Sequence, residues 1–196
     1  MRTRDEQKEQ ALRQKAIEII AKEGLDGFGV NKLAKAAGVS PATIYIYYKD
    51  RDDLISRLGE EVSGHMLEVS LKDFDPDMHF EEGLRVQWVN RAAYFMQYPM
   101  EVQFIEHLRY THYHEKISGV VTKKFKEAMG KFIRNAIQRH ELIKLPFEVY
   151  WSVAFAPLYQ LMKFHNQGHS MEKEHFALSN DIMMQTLQLV LKALKP

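Results

Sequence analysis

The densest cluster of metal-ligand and acid-base side chains in the sequence is Glu106-His107-Leu108-Arg109-Tyr110-Thr111-His112-Tyr113-His114-Glu115, with three histidines and two glutamates. His112 and His114 flank a tyrosine, and on a loop their imidazoles could share a metal with His107, or Glu106 or Glu115 could serve as a general base. The spacing is irregular and no HExxH pattern occurs, which favours surface or pocket-rim histidines, with a pH-sensitive ligand contact between these extremes. The chain has no cysteine, which removes thiolate metal sites, disulfides and a cysteine nucleophile. A Gly-rich phosphate loop and a nucleophile paired with a base are also missing. The expectation is a non-enzyme with no catalytic residue, metal or cofactor.

A second concentration of chemistry lies in Thr43-Ile44-Tyr45-Ile46-Tyr47-Tyr48-Lys49-Asp50-Arg51-Asp52-Asp53-Leu54. Tyr45, Tyr47 and Tyr48 cannot all face one small core, so at least one points outward. Tyrosine hydroxyls, Thr43, Lys49 and the start of a helix near Arg51 are donors suited to phosphate oxygens.

The elements that must position these groups are helical. Apolar residues recur at helical spacing almost throughout, with no sustained period-2 run, and the turn signals leave about nine helices in an all-α protein. The first runs from about Asp5 to Glu23, its stripe being Leu12, Ala16, Ile19 and Ile20, with Gly24 as its stop. Val30, Leu33, Ala34 and Ala37 give a short second helix closed by Gly38. Ser40 then offers an N-cap oxygen and Pro41 takes the first helical position, where its missing N–H costs nothing, so a third helix follows to about Tyr48. Two short helices around a Gly turn, with Val39 and Ile44 wedged between them, make either a tight hairpin in a bundle or a helix-turn-helix over about residues 29–48. The phosphate-suited stretch after Gly38 tips the balance to the latter.

On these residues the sequence resembles the tetracycline-repressor (TetR) family. The matching positions are Ala16 to Gly24, Leu33-Ala34-Lys35-Ala36-Ala37-Gly38-Val39-Ser40, Thr43-Ile44-Tyr45, Tyr47-Tyr48-Lys49 and Leu54, within residues 8–56. The resemblance implies an N-terminal three-helix DNA-binding domain at 1–56 and a helical ligand-binding and dimerisation domain at 57–196. It makes Thr43, Tyr47 and Lys49 contacts to the DNA backbone, with Tyr45 a further candidate and Arg51 helping from helix four. Asn31, Pro41, Ala42 and Ile46 lie where such proteins approach base edges, and Ser40 caps the helix that carries them. Gly29 stands where the family often has Ser or Thr, and Ile46 where a polar or aromatic residue is common. With Pro41, Ala42 and Ile46 apolar, the reading helix has no Arg, Asn or Gln for bidentate base contacts, so direct readout leans on thymine methyls. Asn31, Thr43, the arm Arg2–Arg4 and DNA shape would supply the rest.

Beyond about Leu58 the chain carries no DNA motif and many large apolar side chains. Trp88, Phe95, Phe104, Tyr110, Phe125, Met129, Phe155 and Tyr159, with His107, are candidates to line a ligand pocket; plain core packing would look the same. The last two helices, about Phe147–His165 and Lys173–Leu194, read as the association surface of a homodimer. The final one carries Ile182, Met183, Leu187, Val190, Leu191 and Leu194, and Pro157 is placed to kink the other. Either could instead cap the core of its own subunit.

Charge announces no partner, since the formal net charge is +1. No segment has the composition of a signal peptide or membrane span, so a cytoplasmic bacterial protein is expected. The combined expectation is a regulator, a repressor released from double-stranded operator DNA by a small, largely apolar effector. The alternative is a DNA-binding dimer governed by protein contacts or abundance, with no inducer.

Overall fold

The computed structural model describes residues 5–172 and 174–196, with the backbone alone at 118–122 and 124. The arm Arg2–Arg4 lies outside the described residues. All regular structure among them is helical: α1 (Glu6–Glu23), α2 (Val30–Ala37), α3 (Pro41–Tyr47), α4 (Arg51–Ser70), α5 (Phe80–Gln97), α6 (Pro99–Leu108), α7 (His112–Gln138), α8 (Phe147–Ala154), α9 (Ala156–Gln167) and α10 (Asn180–Leu194).

The all-α expectation therefore stands, with two adjustments near the C-terminus. The helix expected over Phe147–His165 is broken at Phe155 (φ −126°, ψ −29°), because Pro157 has no N–H to continue the ladder, and a tenth helix results. Trp88 Nε1–H donates to the Ala154 carbonyl beside the break at 2.8 Å. The last helix begins at Asn180 rather than Lys173. Ahead of it the backbone has other partners: Phe176 N–H donates to the Gly168 carbonyl and Leu178 N–H to His165 Nδ1, and Ser179 then caps the helix through Ile182 N–H.

The chain forms two compact units, each discontinuous in sequence: Met1–Leu67 with Tyr98–Lys123, and Glu68–Gln97 with Lys124–Pro196. The expected boundary at 56/57 falls inside α4, whose apolar face continues the first core through Leu58 and Val62.

The first unit is built on Leu12, Ala16 and Ile20 of α1, Leu33 of α2, Ile44 of α3 and Leu54, Ile55 and Leu58 of α4. Phe104 and Leu108 of α6 and Tyr113 and Ile117 of α7 complete that core. The second unit gathers Phe80, Leu84 and Trp88 of α5, Met129 and Phe132 of α7, Ala154 and Leu158 of α8 and α9, and Leu187 and Leu191 of α10. Burying each large apolar side chain contributes about 1.5–3 kcal/mol. Polar groups fix the ends: Glu141 accepts the Phe80 N–H at the start of α5 at 2.8 Å, and Asp77 is held by Lys131 Nζ and Asn135 Nδ2 at 2.6 and 2.7 Å.

Candidate nucleic-acid interface

The geometry of α2 and α3 follows from a few residues. Gly38 adopts φ 66°, ψ 31°, a left-handed conformation in which a Cβ would crowd the backbone, and Val39 N–H closes α2 on the Ala34 carbonyl at 3.0 Å. Gly29 caps α2 with its backbone alone, its carbonyl accepting Leu33 N–H at 2.9 Å. Ser40 Oγ accepts the Thr43 N–H at 3.3 Å and lies 3.0 Å from Thr43 Oγ1, so α3 starts on a side-chain cap with Pro41 in its first turn. Ile44 is driven into the angle between the helices and is buried.

With Ile44 and Tyr47 buried, the opposite face of α3 must point out. Pro41 and Ala42 are exposed, Tyr45 is 55% exposed and Ile46 41%. Asn31 on α2 and Lys49 after α3 are exposed too, and Thr43 is half-buried. The result is an apolar, methyl-rich helix face beside one amide, one phenol and one ammonium, mounted on a frame whose backbone ends are satisfied. Ile46 does not pack inward.

Two expected phosphate donors have other work. Tyr47 is buried, and its hydroxyl accepts Asp5 N–H and donates to the Asp5 carbonyl, both at 3.2 Å, which fastens α3 to the start of α1. Arg51 is turned onto the α1–α2 loop: Nη2 donates to the Leu25 carbonyl at 2.6 Å and Nε to the Phe28 carbonyl at 3.3 Å, with the guanidinium 5.8 Å from the Phe28 ring centre. Here both side chains act as ties within the first unit. Spacing gave no sign of it, because all three acceptors are main-chain carbonyls distant in sequence.

The start of α4 is equally occupied. Asp53 N–H donates to Asp50 Oδ1 at 2.8 Å and Asp53 Oδ2 accepts Lys49 N–H at 2.9 Å, a reciprocal cap. That Lys49 N–H holds the Asp53 carboxyl below the ordinary carboxylate range. Tyr113 of α7 donates to Asp52 Oδ1 at 2.5 Å and accepts from Arg51 Nη1 at 3.3 Å. Burial, followed by this bond to Asp52, pushes the Tyr113 hydroxyl up to about 12.

The ligand-site candidates separate between the two units. Phe104 is fully buried in the first core; His107 Nε2 lies 3.4 Å from the Ala21 carbonyl at the end of α1; Tyr110 is 93% exposed. These three sit in the first unit, where α6 packs on α1. Trp88, Phe95, Phe125, Met129, Phe155 and Tyr159 do belong to the second unit's aromatic core. Phe125 and Met129, with Lys126, Gly130 and Phe147, line a half-open groove of about 330 Å³. Among the described residues no group of three His, Asp or Glu could hold a metal, so the histidines of 106–115 do not converge.

Two short helices about a left-handed glycine, the second one capped and facing outward, with an all-helical second unit, define a helix-turn-helix protein. Residues 12–58 match the family model described as bacterial regulatory proteins, tetR family. An HTH-type transcriptional regulator of Haemophilus influenzae is 38% identical over 79 residues, 40% of this chain, and the chain spans only 42% of that relative's length. The crystal structure of a TetR family transcription regulator from Marinobacter aquaeolei is similar with a TM-score of 0.79 and 26% identity, over 100% of this chain and 99% of that one. The fold is also that of the transcriptional regulator FadR from Bacillus subtilis, solved in complex with stearoyl-CoA, with a TM-score of 0.74, 20% identity and 95% and 99% coverage. Over residues 12–58 the chain carries the N-terminal region of the tetR family of bacterial regulatory proteins, and its fold as a whole is that of a solved TetR family regulator. Among the described residues no helix is long and apolar enough to cross a membrane.

Proposed function

We propose that the chain is a transcriptional repressor that binds double-stranded operator DNA as a homodimer and is released by a small, largely apolar ligand held in the second unit. The observation that carries this reading is the outward face of α3. Its side chains are unburied, its N-terminus is capped and its base is fixed from behind by Ile44 and Tyr47. Asn31, Pro41, Ala42 and Ile46 approach the bases, and Thr43, Tyr45 and Lys49 approach phosphates. A guanidinium or amide matching guanine or adenine edges is absent from α3, so thymine methyls are the complementary groups in the major groove.

The dimer reading rests on what α8, α9 and α10 leave outside. Met183, Leu187, Val190, Leu191 and Leu194 pack on the subunit's own core, so the stripe read from sequence is largely internal. Outward remain exposed Leu189 and Val149 with half-buried Ile182 and Thr186, and Ile182, Thr186 and Leu189 follow one helix face. The ligand reading rests on the groove beside Phe125 and Phe147, and on the acyl-CoA held by the Bacillus subtilis structure of the same fold. Only a ligand that favours one spacing of the two reading heads over the other can shift operator affinity.

The test is selection from random duplexes with the full chain, followed by fluorescence anisotropy on the recovered site. A two-fold sequence is expected, and Lys49→Ala should weaken binding to all duplexes and reduce the log–log salt slope by about one. Failure to enrich any duplex would overturn the reading.

A further inference from the structure

The second unit buries a cation with no acid of its own. Arg91 on α5 is 5% exposed; its Nε donates to Tyr159 Oη at 3.2 Å, and its Nη1 donates to the Gln87 carbonyl at 3.2 Å and to Gln87 Oε1. The guanidinium lies 4.5 Å from the Phe155 ring centre and 5.9 Å from that of Trp151. Among the described residues no carboxylate comes within the 4.0 Å of an ion pair, and Nη2 makes no hydrogen bond. A guanidinium taken out of water is costly unless paired with an anion, and ring faces and neutral oxygens compensate only part of that cost.

Two further polar groups of the same core are unpartnered. The bond from Arg91 to Gln87 Oε1 fixes the orientation of the Gln87 amide, and its Nε2, on a side chain 0% exposed, then meets no acceptor. The buried Tyr150 hydroxyl also lacks a partner. Arg91 and Tyr150 both pack on the Phe155 ring, and the Arg91 charge reaches the Tyr150 hydroxyl, opposing the burial that pushes it upward. Buried donors left unpaired in this way are uncommon, and here they accompany the unit's buried guanidinium. Trp151, which Arg91 also faces, contacts Phe125 and Phe147 of the groove at ring distances of 5.6 and 5.8 Å. The cationic cluster and the apolar groove thus meet at one half-buried indole.

We propose that the second unit binds an amphipathic carboxylate. Its head is held by Arg91, Gln87 Nε2 and Tyr150 Oη, its apolar body lies along Phe125 and Phe147, and Trp151 moves to join the two. The planar fork of an arginine suits a carboxylate, and a low-dielectric surround strengthens the pair. This rests on the effector reading above and sharpens it from an apolar molecule to one with a compact anionic head.

Isothermal titration calorimetry of the full chain with octanoate, decanoate and dodecanoate, each set against the 1-alcohol of the same length, tests it. The carboxylate that fits best should bind about tenfold or more tighter than its alcohol. Arg91→Gln should bring the two to parity without weakening the alcohol. Tyr150→Phe should weaken the carboxylate several-fold while the melting temperature does not fall, which a merely structural hydroxyl would not do and which guards against misfolding of the arginine variant. Equal binding of acids and alcohols would overturn the anionic head and leave the apolar effector reading standing. Binding of neither class, with operator binding intact, would overturn both. A preference for the acid that survives Arg91→Gln and Tyr150→Phe would overturn the assignment of these residues.

Discussion

The two units differ in how the polar groups at their centres are partnered. In the first, the Tyr47 hydroxyl is paired twice with Asp5, Arg51 is matched to two carbonyls and a phenol, and Asp53 and Asp50 close the end of α4. In the second, Arg91 lies among aromatic rings without an acid, and Gln87 Nε2 and Tyr150 Oη are unpartnered. A surface that reads a rigid duplex gains from a frame that holds one geometry, because misplacement of α3 loses every base contact together. Under the proposed function, a second unit that answers to a small molecule gains from donors kept in reserve, since only differential contacts move an equilibrium.

That contrast can be broken at several points. The largest effect is expected from truncating an aromatic side chain in either core. Phe104→Ala should cost about 3–5 kcal/mol of stability and lower operator affinity, as a member of the first core, whereas Phe155→Ala should cost a similar amount and abolish carboxylate binding. Denaturant unfolding of both variants, with anisotropy and calorimetry on each, separates them. If Phe104→Ala impaired ligand binding and spared stability, Phe104 would belong to the pocket and not to the frame of the first unit.

One partnered and one unpartnered hydroxyl give a smaller and sharper contrast. Tyr47→Phe removes two hydrogen bonds and should cost about 1–2 kcal/mol, while Tyr150→Phe removes none and should stay within about 0.5 kcal/mol of the parent. Equal losses at both would erase the distinction between a satisfied and an unsatisfied unit.

Alkaline pH should act on Tyr48 and Tyr113 of the first unit before it reaches the more deeply buried Tyr150 of the second. Burial pushes the Tyr48 and Tyr113 hydroxyls up to about 12 from 10.0, so both folded-state values are raised. Their contribution to stability is complete below the ordinary tyrosine value and is lost as the pH climbs from about 10 to about 12. Urea midpoints measured across that range should fall, and fall less steeply in Tyr113→Phe.

Much of the first unit was legible because its signals are local. Gly24, Gly38, Ser40-Pro41 and the stripe of Leu12, Ala16 and Ile20 each fix an end or a face within one turn of chain, and the structure agrees at each. What local spacing could not show was partnership over distance. Tyr47 to Asp5, Arg51 to Leu25 and Phe104 to α1 depend on how helices fold back, and so spacing could not show that Tyr47 and Arg51 tie the first unit together or that Phe104 is buried in its core. The same limit hid Arg91 and Gln87, an ordinary i, i+4 pair in sequence whose burial comes from α8 and α9. The break at Phe155 was foreshadowed by Pro157, although a kink and a full stop look alike in one dimension.

The smallest effect on stability is expected at Ile46, where an exposed side chain is replaceable within about 0.5 kcal/mol. The same position carries the central claim, that the outward face of α3 reads DNA. Operator selection with the parent chain and with Ile46→Ala, side by side, tests it most directly. The account predicts two-fold sites with thymines under α3 for the parent, and loss of that preference in the variant at unchanged melting temperature. Guanine-dominated half-sites, or one profile shared by both proteins, would contradict it.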